Sequence, residues 1–343
     1  MNFTIRTCFT GVLLIACGAA AGTQAFAQNS VNVYTTREPG LIKPLFAKFT
    51  KATGVKVNAV FVKDGLVERV KAEGRRSPAD ILMTVDFGKL LDLVDQGVTQ
   101  PVVSKTLSKV IPANLRDPKG HWFALSMRAR VLYAAKSLKL KSFTYSQLAD
   151  RKWKNKLCIR SGQHPYNTAL FAAYLVHNGK ANTVAWLNGM KANLARKPGG
   201  GDRDVARDIL GGICDIGIGN SYYVGLMRSG KGGPRQKVWG NGIDVILPEF
   251  KQGGTHVNIS GASVALNSPN KSNAIKLLEF LVSPGAQADY AQVNYEYPVR
   301  ADAKVDPIIG ALGKLKIDPT QLKTILKQRK QASQLVDQVR FNN

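Results

Sequence analysis

The sequence is poor in histidine and cysteine, with four of each in 343 residues, and in acidic groups, with 23 Asp and Glu against 48 Lys and Arg. No Cys/His pair has finger spacing, and no aromatic-rich strand resembles an RNA-binding motif. No concentrated Lys/Arg tract appears in the body of the chain, so no nucleic-acid partner is expected. His121, His164, His177 and His256 show no paired metal spacing and are assigned to no site. Catalytic signatures are missing too: there is no Gly-x-Ser-x-Gly elbow, no His-Glu-x-x-His and no Gly-Lys-Ser/Thr phosphate loop. Gly217-x-Gly219 lacks the rest of a dinucleotide fingerprint, and no two carboxylates stand out as an acid and base pair, so no enzyme is expected. Past the first 27 residues, no apolar run approaches the ~20 residues needed to cross a bilayer as a helix.

What is present is a formal charge of +25. Such an excess suggests nucleic acid, an anionic membrane surface or an anionic ligand, without choosing among them. The basic residues are spread from Arg37 to Arg340 rather than gathered in a stripe. Hydrophobic content of 44% with 32 Gly and 15 Pro excludes a disordered or collagen-like chain. The length suits two domains with cores of their own.

Residues 1–27 read as an export signal. Arg6 lies in a short basic region, an apolar run follows from Phe9 to Ala16, and Ala25-Phe26-Ala27 before Gln28 is an A-x-A cleavage pattern. Leu14-Ile15-Ala16-Cys17 also resembles a lipoprotein box, which would instead leave a lipid anchor on Cys17; cleavage after Ala27 is the reading carried forward. Cys8 and Cys17 fall in this segment, so the mature chain keeps Cys158 and Cys214. Two cysteines in an exported protein favour a bond, with two separate buried thiols as the alternative.

Strands alternate with helices along the body. Val31–Tyr34, Val55–Val62 and Ala79–Val85 read as strands, separated by helical patterns at Ile42–Thr50 and Leu66–Ala72 and followed by one at Phe87–Gln96. The middle continues with strands at Ala129–Ala135, Leu157–Arg160 and Ile213–Ile218. Helices are expected at His164–His177, Thr183–Lys191 and Asp204–Leu210. Late strands at Val245–Pro248 and Ser263–Leu266 precede a helix at Lys271–Leu281. This alternation predicts an α/β fold of right-handed βαβ units around a mostly parallel sheet.

Several segments carry a more specific likeness. Ser77-Pro78-Ala79-Asp80-Ile81, the stretch from Ile111 to Trp122, Met127-Arg128-Ala129-Arg130-Val131, Asp215 to Tyr223 and Tyr295-Glu296-Tyr297-Pro298 resemble the periplasmic ferric-ion-binding proteins, solute-binding proteins of ABC importers. The double tyrosine after the Gly219-Asn220 turn is the most specific part. The resemblance implies a two-lobed periplasmic binding protein of type II, with a cleft between lobes joined by crossing hinge strands. Residues 31–128 plus 250–303 would form lobe one, and residues 129–249 plus 304–343 lobe two. Cys158 and Cys214 would then share the second lobe, where a disulfide would brace the ligand scaffold.

By the same resemblance Tyr166, Tyr222 and Tyr223 are the metal ligands and Fe³⁺ is the cargo. The chemistry suits the residue type. A hard trivalent ion prefers anionic oxygen, and it deprotonates a phenol whose pKa is near ~10 when free. Adjacent tyrosines on a regular strand would face opposite ways, so Tyr222 and Tyr223 require a turn or helix start. Ser161-Gly162-Gln163, before Tyr166, is expected to offer free N–H groups to an anion. Arg37 and Arg130 resemble basic positions that face carbonate or another small synergistic anion in such proteins. Many relatives carry His or His-Tyr after the first strand, whereas this chain has Glu38-Pro39. Glu38 is therefore either a hard oxygen ligand or a salt-bridge partner of Arg37. The expected partners are ferric iron or a ferric chelate and an inner-membrane ABC permease, for a monomer in the periplasm. The alternative is a binder of a phosphorylated or carboxylated organic anion, held by the arginines and the helix N-terminus.

Overall fold

A computed structural model describes residues 29–251 and 253–343. The export signal, its cleavage after Ala27 and the lipid-anchor reading of Cys17 lie outside the described residues.

The strands are β1 (Ser30–Thr35), β2 (Lys56–Phe61), β3 (Ile81–Thr84), β4 (Thr99–Gln100), β5 (Phe123–Ala135), β6 (Leu157–Cys158), β7 (Ile216–Asn220), β8 (Ile243–Ile246), β9 (Val257–Ala265) and β10 (Tyr297–Pro298). Their order is β2-β1-β3-β9-β5-β7-β6, with β4 on β9 and both β8 and β10 on β5. β1 pairs in parallel with β2 and β3, and β6 with β7, as βαβ units require. Every pairing of β5 and β9 is antiparallel, so the expectation of a mostly parallel sheet is corrected. These two strands carry the chain from one half of the molecule to the other and back, and opposite directions of travel make the ladder between them antiparallel.

β5 is the axis of the molecule. Its Phe123–Ala129 half bonds to β9, and from Arg130 to Ala134 it pairs with β7 instead. Twelve of its thirteen residues are buried, which explains why its near-continuous apolar run shows no alternation. Sequence patterning caught only the second half because Ser126 and Arg128 interrupt the first.

Local chemistry starts and stops the helices. The Lys43–Thr53 helix buries Leu45, Phe46 and Phe49 and ends at Gly54 with φ 71°, a left-handed cap that glycine adopts without a Cβ clash. The Phe87–Asp95 helix starts at Asp86, whose carboxylate accepts from the Gly88 and Lys89 N–H groups. The two helices read at 164–177 and 183–191 are both present within Pro165–Ala192, divided at the non-helical Gly179 (φ 77°, ψ 170°). Helices at Pro284–Asn294 and Arg329–Gln338 were not foreseen; their apolar residues are too sparse to show a stripe.

Cys158 at the end of β6 and Cys214 before β7 form a disulfide across 56 residues of chain. It ties the turns leading to Tyr166 and to Tyr222. In the chain-entropy model a loop of this length contributes about 4 kcal/mol. Replacing both cysteines with alanine is therefore expected to lower the guanidinium unfolding midpoint markedly; a midpoint within error of the parent protein would show that other contacts already close the loop.

Candidate metal centre

Two helices begin at the same place. Asn220, the last residue of β7, is extended (φ −88°, ψ 141°) and caps the Ser221–Arg228 helix. Tyr222 and Tyr223 sit in its first turn, where consecutive side chains can both leave the helix end. Their ring centroids lie 4.1 Å apart with 34° between planes. The Pro165–Ala192 helix is capped by His164, whose ring accepts from the Tyr166 N–H, and Pro165 presets the first turn. The Tyr166 hydroxyl lies 3.5 Å from that of Tyr222. The fold thus gathers all three tyrosines, and both helix N-termini direct partial positive charge toward them.

Burial pushes the Tyr222 phenol well above its ordinary pKa, and Tyr166 and Tyr223 push it the same way. Burial raises Tyr223 as well. Both phenols are neutral at pH 7 unless a cation replaces the proton. The His164 ring packs edge-on to Tyr166 with centroids 4.5 Å apart. Burial, aided by Arg160, lowers its pKa to about 4, so the ring is neutral and its Nδ1 is committed to the Tyr166 cap. Among the described residues, no three His, Cys, Asp or Glu side chains converge as a metal site.

Four buried or nearly buried arginines surround the phenols in two networks. In the first, Arg130 donates to Asp202 Oδ2 (2.5 Å), Asn220 Oδ1 (3.1 Å) and Asn167 Oδ1 (2.5 Å). Asp202 also accepts from the Asn220 N–H (2.8 Å) and from Arg160 (3.3 Å). The guanidinium carbons of Arg160 and Arg130 lie 5.3 and 5.9 Å from the Tyr166 ring centroid. In the second, Glu296 pairs with Arg37 (3.0 Å) and Arg128 (3.5 Å), and Ser126 donates to its other oxygen. Arg37 also donates to Asn294 (2.7 Å), and Arg128 to Ser260 (2.8 Å). Each network holds two guanidinium groups against one carboxylate. The Nε–H groups of Arg37, Arg128, Arg130 and Arg160 are buried and find no acceptor among the described residues.

Two expectations need correction. The carboxylate partner of Arg37 is Glu296, not Glu38, which is solvent-exposed and caps nothing with its side chain. The N–H groups of Gly162 and Gln163 are not free: Gly162 donates to Asn342 Oδ1 (2.7 Å) and Gln163 to Ser161 Oγ (3.2 Å). The C-terminal residues Val336 and Phe341 pack over Gly162 and bring Asn342 to it. Arg130 is a framework cation held by Asp202, and Arg128, two residues earlier on the same strand face, is its counterpart in the other network.

Sequence reading preferred Arg130 to Arg128 and missed Arg160, Asp202 and Glu296. Arg128 was visible as the i, i+2 partner of Arg130 on a strand, and Glu296 lay within a motif already singled out. Asp202 follows three glycines at a helix start, where an acidic residue suits the dipole. A cavity of about 750 Å³ opens elsewhere, between the Leu66–Glu73 and Phe87–Asp95 helices, and none of the tyrosines lines it. Chemistry rather than volume identifies the site.

The family model for bacterial extracellular solute-binding proteins matches residues 76–316. The chain is 40% identical to iron uptake protein A1 of Synechocystis over 330 residues, covering 93% of this chain and 91% of the relative. Its fold superposes on the Bordetella ferric binding protein with a TM-score of 0.90 at 62% identity, covering 92% and 100% of the two chains. A Trichodesmium protein solved in complex with iron and citrate ligands gives a TM-score of 0.85 at 41% identity, with 90% and 99% covered.

Burial alone would raise the Glu296 carboxyl, but Arg37 and Arg128 outweigh it and hold it below the usual glutamate value. A depressed folded-state pKa contributes stability above the unfolded value near ~4.3 that is lost as pH falls through the folded one. Glu296→Gln should flatten this acid limb and cost about 3–5 kcal/mol at pH 7, because two guanidinium groups lose their only carboxylate. Urea unfolding at pH 7 and at a series of pH values below ~4.3 checks both statements.

Proposed function

The chain belongs to the bacterial extracellular solute-binding protein family, a family of binding proteins rather than enzymes, and from this premise we propose that it captures ferric iron in its interlobe cleft and delivers it to an inner-membrane ABC permease. The observation that carries the reading is the convergence of Tyr166, Tyr222 and Tyr223 from two helix N-termini beside surplus guanidinium charge. Its likeness to iron uptake and ferric binding proteins supports it. An organic anion would use the arginines but leave three gathered phenols without a role.

Charge bookkeeping specifies the site further. Three phenolates offset the three charges of Fe³⁺. The Glu296 and Asp202 networks each keep one uncompensated guanidinium charge and unsatisfied Nε–H donors. A small dianion such as carbonate, completing the coordination sphere, would answer both and suits the arginine forks. Arg37, Arg128 and Arg130 supply the positive charge that would hold it. Glu38, on the exposed rim after β1, is left with no assigned ligand role.

We assign residues 31–128 and 250–303 to lobe one and residues 129–249 and 304–343 to lobe two. The change of partner along β5 at Arg130 supports this division. Closure would rotate the lobes about β5 and β9. One chain supplies every group the site uses, so a periplasmic monomer suffices. The dispersed cationic surface would speed encounter with anionic ferric chelates.

Loading the mature protein with ferric citrate is expected to give a visible tyrosinate-to-iron charge-transfer band, and Tyr222→Phe to weaken the band and iron retention. A colourless loaded protein, with retention indifferent to Tyr222→Phe, sinks the proposal. Because Tyr222 and Tyr223 start protonated, their ligation at pH 7 should release one proton from each. Acidification should reverse this and free the iron. A pH-stat titration that records no proton release contradicts phenolate ligation.

A further inference from the structure

Tyr295 has a backbone conformation that bulky residues seldom adopt. It caps the Pro284–Asn294 helix with φ 55° and ψ 31°, yet it carries a full aromatic ring and is 4% exposed. Left-handed backbone at a non-glycine residue persists when the surroundings over-determine it. The surroundings here are the helix that bears Tyr222 and Tyr223. A Cβ added to Gly225 would lie 2.2 Å from the Tyr295 Cγ and 2.3 Å from its Cβ, so the root of the ring rests directly on the Gly225 Cα. Gly225 lies three residues after Tyr222, on the same helix face. From the loop beyond, Lys231 holds its ammonium 4.8 Å from the Tyr295 ring centroid.

The next residue is Glu296, the carboxylate that pairs with Arg37 and Arg128. Tyr295 therefore couples two parts of the centre drawn from distant stretches of chain. Its ring is seated on the tyrosine helix, and its peptide bond leads straight into the ion pairs of the other lobe.

Resting on the ferric reading above, we propose that Tyr295 is a positioning residue: its ring, seated on Gly225, sets the height of the Tyr222–Tyr223 helix turn against the Arg37–Glu296–Arg128 network, and position 225 must be glycine for the lobes to meet at that distance. The residue touches no iron. It acts by holding phenols and guanidinium groups in register across the cleft. A side chain at position 225 would occupy the space of the Tyr295 ring root, and because that ring is anchored at Glu296, the tyrosine helix would have to move.

The test loads the full mature chain with ferric citrate and follows the tyrosinate band while a chelator competes for iron. Gly225→Ala and Gly225→Val are expected to lose iron at least tenfold more readily than the parent and to shift the band. Alanine is the better helix former, so a merely local effect would raise helix stability rather than weaken retention. Tyr295→Ala removes the contact from the other side and should weaken retention too, whereas Tyr295→Phe keeps the ring and should restore it. In the double variant, Gly225→Ala should add nothing to Tyr295→Ala, the non-additivity expected of residues in contact. Should a Gly225 variant fail to fold, Tyr295→Ala against Tyr295→Phe still decides the matter. A parent protein that develops the band, with Tyr295→Ala and Gly225→Ala matching it in band and retention, overturns this inference alone. A parent that develops no band overturns the ferric reading, and the inference falls with it.

Discussion

Around the three tyrosines, guanidinium groups outnumber the carboxylates they share, and this local surplus is the constraint around which the centre is arranged. Arg37 and Arg128 share Glu296, and Arg130 and Arg160 share Asp202. Ions taken out of water are costly unless paired, and these are only half paired. Burial pushes Tyr222 and Tyr223 toward the neutral form, so without cargo the two networks keep a net positive charge. A ferric ion held by phenolates with a small dianion would bring the same interior to balance. The cost of the imbalance is met by the rigid packing of β5 and β9, in which nearly every residue is buried.

β5 explains why both networks lie within reach of one site. Arg128 faces partners in the half bonded to β9, and Arg130 faces partners in the half bonded to β7. Two residues of one strand thereby serve two halves of the sheet. Under the closure proposed above, a rotation about this strand would change how the networks oppose each other while leaving each internally intact. The overall charge of +25 has little part in this local chemistry; four arginines out of 48 Lys and Arg residues do the local work.

Much of the centre was readable from residue types alone. The demand that Tyr222 and Tyr223 occupy a turn or helix start follows from the alternation of strand side chains, and Asn220 caps a helix there. The resemblance of the Asp215–Tyr223 segment and of the Tyr166 loop pointed to the same triad. The loop before Tyr166 misled, because its free N–H groups were inferred from local sequence, while Asn342, 180 residues away, occupies one of them. Glu38 misled for a similar reason. Sequence adjacency to Arg37 made it the natural partner, yet Arg37 turns inward to a carboxylate 259 residues on.

The amino-acid sequence by itself determined most of the element types, the presence of two cysteines beyond residue 27 and the phenolic character of the gathered side chains, because helix caps, strand runs and residue chemistry are local properties. Tertiary structure alone decided which cations stand near the phenols, which carboxylates restrain them and that Tyr295 rests on Gly225. Those relations join residues tens to hundreds of positions apart, brought together when β5 and β9 cross between the lobes. Burial then fixes how much each charge counts.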